Sequence, residues 1–115
     1  MKNFTLLFLF IISSSLIAQT QFGSDIDGEA AYDSSGSSVS LSSDGTIVAI
    51  GAPYNVGSTG NPWNFPIIDG GHVRVFRVDT SFLFGVVSWN KIGQDIDGEA
   101  ADDISGYSVS MNNDG

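Results

Sequence analysis

Apolar and polar side chains alternate along Ser37-Ser38-Val39-Ser40-Leu41, the two-residue period of an extended strand with one covered face. After Ser43-Asp44-Gly45, the run Thr46-Ile47-Val48-Ala49-Ile50 becomes apolar without alternation. Asp-Gly between two such runs predicts an antiparallel hairpin closed by a primed turn, since glycine accepts the positive φ that such a turn demands. The same reading predicts a third strand over His72–Val78 and a fourth over Val86–Ile92. Helical periodicity is absent after Ala18, so the expected class is all-β. Continuous apolar side chains at Ile47–Ile50 place apolar groups on both faces of the second strand, which predicts a sheet lying between two other layers. A lone four-stranded sheet lacks those layers. Units of this kind bury themselves by stacking on copies of themselves, as in a β-propeller or another closed or stacked β array.

A copy is present. Laid over residues 92–115, residues 22–45 match at 16 of 24 positions, where chance at this composition gives about two. The matched residues include Gly23, Asp25 to Ala31, Asp33, Ser35, Gly36, Ser38 to Ser40, Asp44 and Gly45. Residues 22–91 therefore form one complete repeat, the first blade of a propeller-type reading with boundaries at 19–91. Residues 92–115 open a second, incomplete one at the hairpin. Because a closed propeller takes about four to eight blades, the chain reads as the front of a longer protein, with further blades of the same chain as its first partners.

The connections carry turn chemistry. Gly57, Gly60, Pro62, Pro66 and the pair Gly70-Gly71 mark a long loop between the second and third strands. Trp63, Phe65, Ile67 and Ile68 in it are too apolar for a plain linker, so they are expected to cap the sheet edge or to form a contact surface. Phe82, Leu83 and Phe84 predict a longer hairpin between the third and fourth strands.

Residues 1–18 are of a different kind. Lys2 is their only charge, an apolar run starts at Leu6, and the segment leaves through Leu16-Ile17-Ala18. This order predicts a secretory signal peptide cleaved after Ala18. The rival reading is a membrane anchor, but the 13 residues of Leu6–Ala18 fall short of the roughly 20 that span a bilayer. Export to the extracellular space or the cell surface follows.

The full chain has 13 acidic against 4 basic residues, a formal charge of -9. Without Lys2 it has 13 against 3, a net of -10. Such a surface repels phosphate backbones, which argues against nucleic acid as a partner. With no cysteine, disulfides, thiolate nucleophiles and cysteine-based metal sites are excluded together.

The acidic segments Asp25-Ile26-Asp27-Gly28-Glu29-Ala30 and Asp95 to Ala100 are the strongest candidates for chemistry. A calcium loop needs alternating carboxylates with glycine at the sixth place, whereas here glycine is fourth and Ala30 and Ala31 stand where oxygens belong. Asp25, Asp27 and Glu29 are left as weak metal candidates, against a solvated turn held by side-chain to backbone hydrogen bonds. An acid and base pair could be Glu29 with Asp33, or Glu99 with Asp103. Recurrence in both copies favours structure over catalysis, since a catalytic pair is not normally repeated in every unit. No G-x-S-x-G elbow or lysine-bearing phosphate loop is present, and the single histidine, His72, reads as a surface or edge residue. Neither a catalytic constellation nor a cofactor is expected. Residues common to both copies are expected to serve blade geometry: glycines for turns, aspartates to tie them, Val39 and Val109 for packing.

Ser35-Gly36-Ser37-Ser38-Val39-Ser40, followed after the turn by Ile47-Val48-Ala49-Ile50-Gly51-Ala52-Pro53, resembles the FG-GAP repeat of integrin alpha subunits. It looks most like the bacterial surface form, with an acidic DIDGEA segment before the strand and a GHVRV strand after it. The resemblance covers residues 22–115. It implies a seven-bladed propeller of four-stranded blades and an extracellular scaffold that binds protein or glycan without catalysis. Alternatives are the N-terminal part of a propeller hydrolase or lyase with its active site on later blades, and a calcium-stabilised adhesion repeat. Two departures stand out. The phenylalanine of the family motif is Ser35 here and Ser105 in the second copy. The calcium loop of integrin-type blades is reduced to Ser42-Ser43-Asp44-Gly45 and Asn112-Asn113-Asp114-Gly115, and one carboxylate falls far short of the six to eight oxygens that calcium takes.

Overall fold

A computed structural model describes residues 21–56, 69–80 and 87–115. The predicted signal segment 1–18, the apolar loop residues Trp63, Phe65, Ile67 and Ile68, and Phe82, Leu83 and Phe84 lie outside the described residues. Within them the chain is all-β, and no helix is long and apolar enough to cross a membrane.

Among the described residues there are five strands: β1 Ser38–Leu41, β2 Ile47–Ala52, β3 His72–Asp79, β4 Ser88–Lys91 and β5 Ile96–Asp97. The sheet is antiparallel in the order β1-β2-β3-β4. The outer edge of β3 is shared: β4 pairs with Phe76–Asp79, and β5, from the second copy, pairs with His72 and Val73.

The β1–β2 connection departs from the primed turn expected at Asp44-Gly45. Only Gly45 has positive φ, at 71°, while Asp44 does not. The amide of Gly45 donates to the Ser42 carbonyl at 3.0 Å and that of Ser42 to the Ile47 carbonyl at 2.9 Å. A left-handed glycine following an ordinary turn also matches the strand twist, and it needs positive φ at one position instead of two.

All six residues of β2 are buried. Strand pairing sorts the side chains into two faces. Val48, Ile50 and Ala52 stand across from Phe76, Arg74 and His72, and Val39 and Leu41 of β1 share that face. Its core is Val48, Ile50 and Phe76, with Ile26 and Trp89 packed against them. Burying each such side chain contributes about 1.5–3 kcal/mol.

The opposite face carries Ser38, Ser40, Ala49, Gly51, Val73 and Val75, and the second copy lies on it. Ser38 Oγ donates to the Gly106 carbonyl at 2.7 Å, the Met111 amide donates to Ser40 Oγ at 3.0 Å, and Ser43 Oγ donates to the Asn113 carbonyl at 2.9 Å. An open cleft of about 600 Å³ remains between the layers, lined by Ala49, Val73, Val75, Ile96, Val109 and Met111. Gly51 permits this approach, because a Cβ there would meet the Gly106 carbonyl oxygen at 2.0 Å.

The twin segments share a backbone. Tyr32 and Asp102 have φ of 69° and 64°, Ser34 and Ile104 have 56° and 54°, and Gly36 and Gly106 have 89° and 83°. Left-handed φ at four non-glycine residues is uncommon, and its recurrence at equivalent positions marks one turn built twice. Exposure then separates the copies. Val39 and Leu41 are 60% and 57% exposed, whereas their equivalents Val109 and Met111 are half-buried against the first sheet.

Candidate functional site

Each acidic segment is closed by an aspartate. Asp33 Oδ2 accepts from the amides of Glu29 and Ala30 at 3.0 and 3.3 Å, and Oδ1 accepts from the Ser35 amide at 2.9 Å. Burial pushes this carboxyl up, but the three amide hydrogen bonds and the nearby Arg74 charge outweigh it and hold Asp33 below the ordinary aspartate range. Asp103 repeats the tie to the amides of Glu99 and Ala100, at 2.9 and 2.7 Å. In Asp33, the carboxylate considered as an acid or base partner of Glu29 thus has both oxygens engaged by the backbone of its own turn.

The weak metal candidates separate in space. Asp25 accepts from Gln21 Nε2 at 2.7 Å, and Asp27 offers its backbone carbonyl to Arg74 Nη2 at 2.8 Å. Glu29 instead reaches toward β3, with Oε2 3.8 Å from His72 Nδ1 and Oε1 3.8 Å from Arg74 Nη1. Among the described residues, the group of three whose ligand atoms lie within 4.8 Å of one another is Glu29, His72 and Asp95.

His72 is not the surface or edge residue expected from the sequence. It is 1% exposed, because it faces the same side as Arg74 and Phe76 under the first acidic turn, while β5 pairs beside it. Its Nε2 and the Nε of Arg74 are buried without a hydrogen-bond partner among the described residues. Arg74 holds the first acidic turn onto the sheet. Besides Asp27 it donates to Ser35 Oγ at 3.4 Å, and its guanidinium lies 5.4 Å from the Phe76 ring centroid. Ser35 therefore sits against the Arg74 guanidinium.

Asp95 comes from the second copy. Its Oδ1 accepts from Lys91 Nζ at 2.7 Å, the equivalent of the Gln21–Asp25 contact in the first copy. Burial raises this carboxyl, while the Lys91 hydrogen bond and charge, followed by the charges of His72 and Arg74, lower it to a net position below the ordinary range. Glu29 and Asp95 are thus non-equivalent members of one motif, converging from two copies on one histidine. An imidazole with two carboxylates suits zinc and related first-row divalent ions, and is a poor set for calcium.

Sequence reasoning passed over His72, Arg74 and Asp95 as a group. The signal available to it was the alternation of His72, Arg74 and Phe76 along β3, which assigns all three to one face. Comparison with known protein families, curated proteins and solved structures finds no match.

Proposed function

We propose that this chain is a non-catalytic, exported binding or adhesion module built from stacked β-repeats of the propeller type. One observation carries the reading: the second copy turns its half-buried Val109 and Met111 toward the second face of the first sheet across an open cleft, while the first copy leaves Val39 and Leu41 exposed. Equivalent side chains in covered and uncovered states are what a stacking series produces at its interior and at its end. The ordering of Lys2, the apolar run from Leu6 and the small exit at Ala18 supports export to the cell surface or beyond. The repeated use of Asp33 and Asp103 as turn ties supports a scaffold role for the acidic segments. Recognition of a protein or glycan then belongs to what differs between repeats, foremost the loop from Val56 to Asp69.

The test is a screen of the secreted protein on a glycan array and on purified extracellular proteins, run beside polysaccharide and peptide hydrolysis assays. Saturable binding without turnover is the expected result. Turnover that a single carboxylate substitution abolishes would replace this reading with a propeller hydrolase or lyase.

A further inference from the structure

We propose that Glu29, His72 and Asp95 bind one zinc ion at the seam between the two repeats. The ligand types fit: an imidazole nitrogen and two carboxylate oxygens are three of the four donors zinc takes, with water as the fourth. Their ligand atoms lie within 4.8 Å of one another. Donors around a tetrahedral ion at zinc distances stand about 3.4 Å apart, so the widest pair has to close by up to about 1.4 Å. The 42% exposed Glu29 side chain supplies that freedom.

His72 has capacity that the protein leaves unused. The ring is buried, Nδ1 is 3.8 Å from Glu29 and so beyond hydrogen-bond length, and Nε2 has no partner among the described residues. The buried Nε2 without a partner is disfavoured, and Nδ1, which faces Glu29, is the nitrogen placed to offer its lone pair to the metal.

Two cations oppose the ion, and they differ in how they are held. Lys91 grips Asp95 at 2.7 Å from a side chain that is 39% exposed, so it can swing into solvent when zinc takes the carboxylate. Arg74 is 7% exposed and bonded to the Asp27 carbonyl. It stays, and its charge lowers the affinity the three ligands would otherwise reach. The seam location gives the ion a purpose. Glu29 belongs to the first copy, Asp95 to the second, and His72 to the strand between them. The set is complete only when the copies are stacked, so binding stabilises the stack by mass action. This site does not depend on the protein or glycan ligand proposed above.

The experiment is calorimetric titration of the chelator-treated full chain with ZnCl2, with thermal unfolding followed in parallel. One ion per chain and a raised melting temperature are expected. Glu29→Gln and Asp95→Asn should each weaken affinity by about tenfold or more, and Lys91→Ala should strengthen it by freeing Asp95. His72→Gln disturbs a buried position, so the two carboxylate variants, checked for an unchanged circular dichroism spectrum, carry the test. Absence of heat and of a thermal shift at millimolar ZnCl2 overturns the proposal. So does zinc binding that both carboxylate variants retain, weaker zinc binding in Lys91→Ala, or equal binding of CaCl2 at these residues.

Discussion

Asp33 and Asp103 occupy equivalent places in the two copies and share two bonds, each Oδ2 accepting from the amides of the Glu and Ala that follow the motif's glycine. Their surroundings differ. Asp33 is buried and also receives the Ser35 amide, whereas Asp103 is exposed.

Asp33→Ala should therefore destabilise the fold by about 1–3 kcal/mol, the effect of leaving part-buried amides without an acceptor. Asp103→Ala should cost clearly less, because water reaches the freed amides of Glu99 and Ala100. Urea unfolding of the two variants checks the order, and equal losses would contradict it.

Gly51→Ala places a methyl group 2.0 Å from the Gly106 carbonyl oxygen. The second copy has to shift away, at about 1–3 kcal/mol for such overpacking. Hydrogen exchange should show lost protection at the Met111 amide, which donates to Ser40 Oγ, with β2–β3 amides less affected. Unchanged exchange at Met111 would argue that the two layers are not in contact in solution.

Asp44 gives the hairpin an acid limit. Its carboxylate accepts from the Thr46 amide, then from the Thr46 and Ser42 hydroxyls, and these bonds lower it from 3.8 to about 2. A group depressed in the folded state stabilises above its unfolded value and loses that contribution as pH falls through the folded one. Stability should thus decline between about pH 4 and pH 2, and Asp44→Asn should be less stable at neutral pH with a flatter profile across that window. Parallel profiles for the two proteins would rule this out.

Val39 and Leu41 leave an apolar patch on the outer side of β1, itself the unpaired edge strand of the described sheet. Uncovered patches and free edges favour association. Residues 19–115 should self-associate in sedimentation experiments, and Leu41→Lys should shift them toward monomer with little change in unfolding midpoint. A stable, cooperatively unfolding monomer of the unsubstituted chain would contradict the stacking model.

Much of the fold was legible in the chain, because it rests on local rules. Alternation at Ser38–Leu41, the apolar run into β2 and the His72–Asp79 pattern are strand periodicities, and the observed β1, β2 and β3 lie within two residues of the predicted spans. The turn type at Asp44-Gly45 was misjudged because an Asp-Gly pair suits both a primed turn and a glycine-closed longer loop. Flanking hydrogen bonds from Ser42 decide between them.

The candidate site was not legible, since its members are chosen by proximity across the repeat. Glu29 and Glu99 are the same residue in the same motif, as are Asp25 and Asp95, yet one member of each pair reaches His72. The chain alone prescribed where strands and turns fall, because side-chain period and backbone φ preferences act over a few residues. Tertiary structure alone left Val39 exposed and Val109 half-buried facing the first sheet, and carried His72 from an apparent strand end into a buried seam. Burial is a property of what lies opposite, and what lies opposite came from residues far away in the chain.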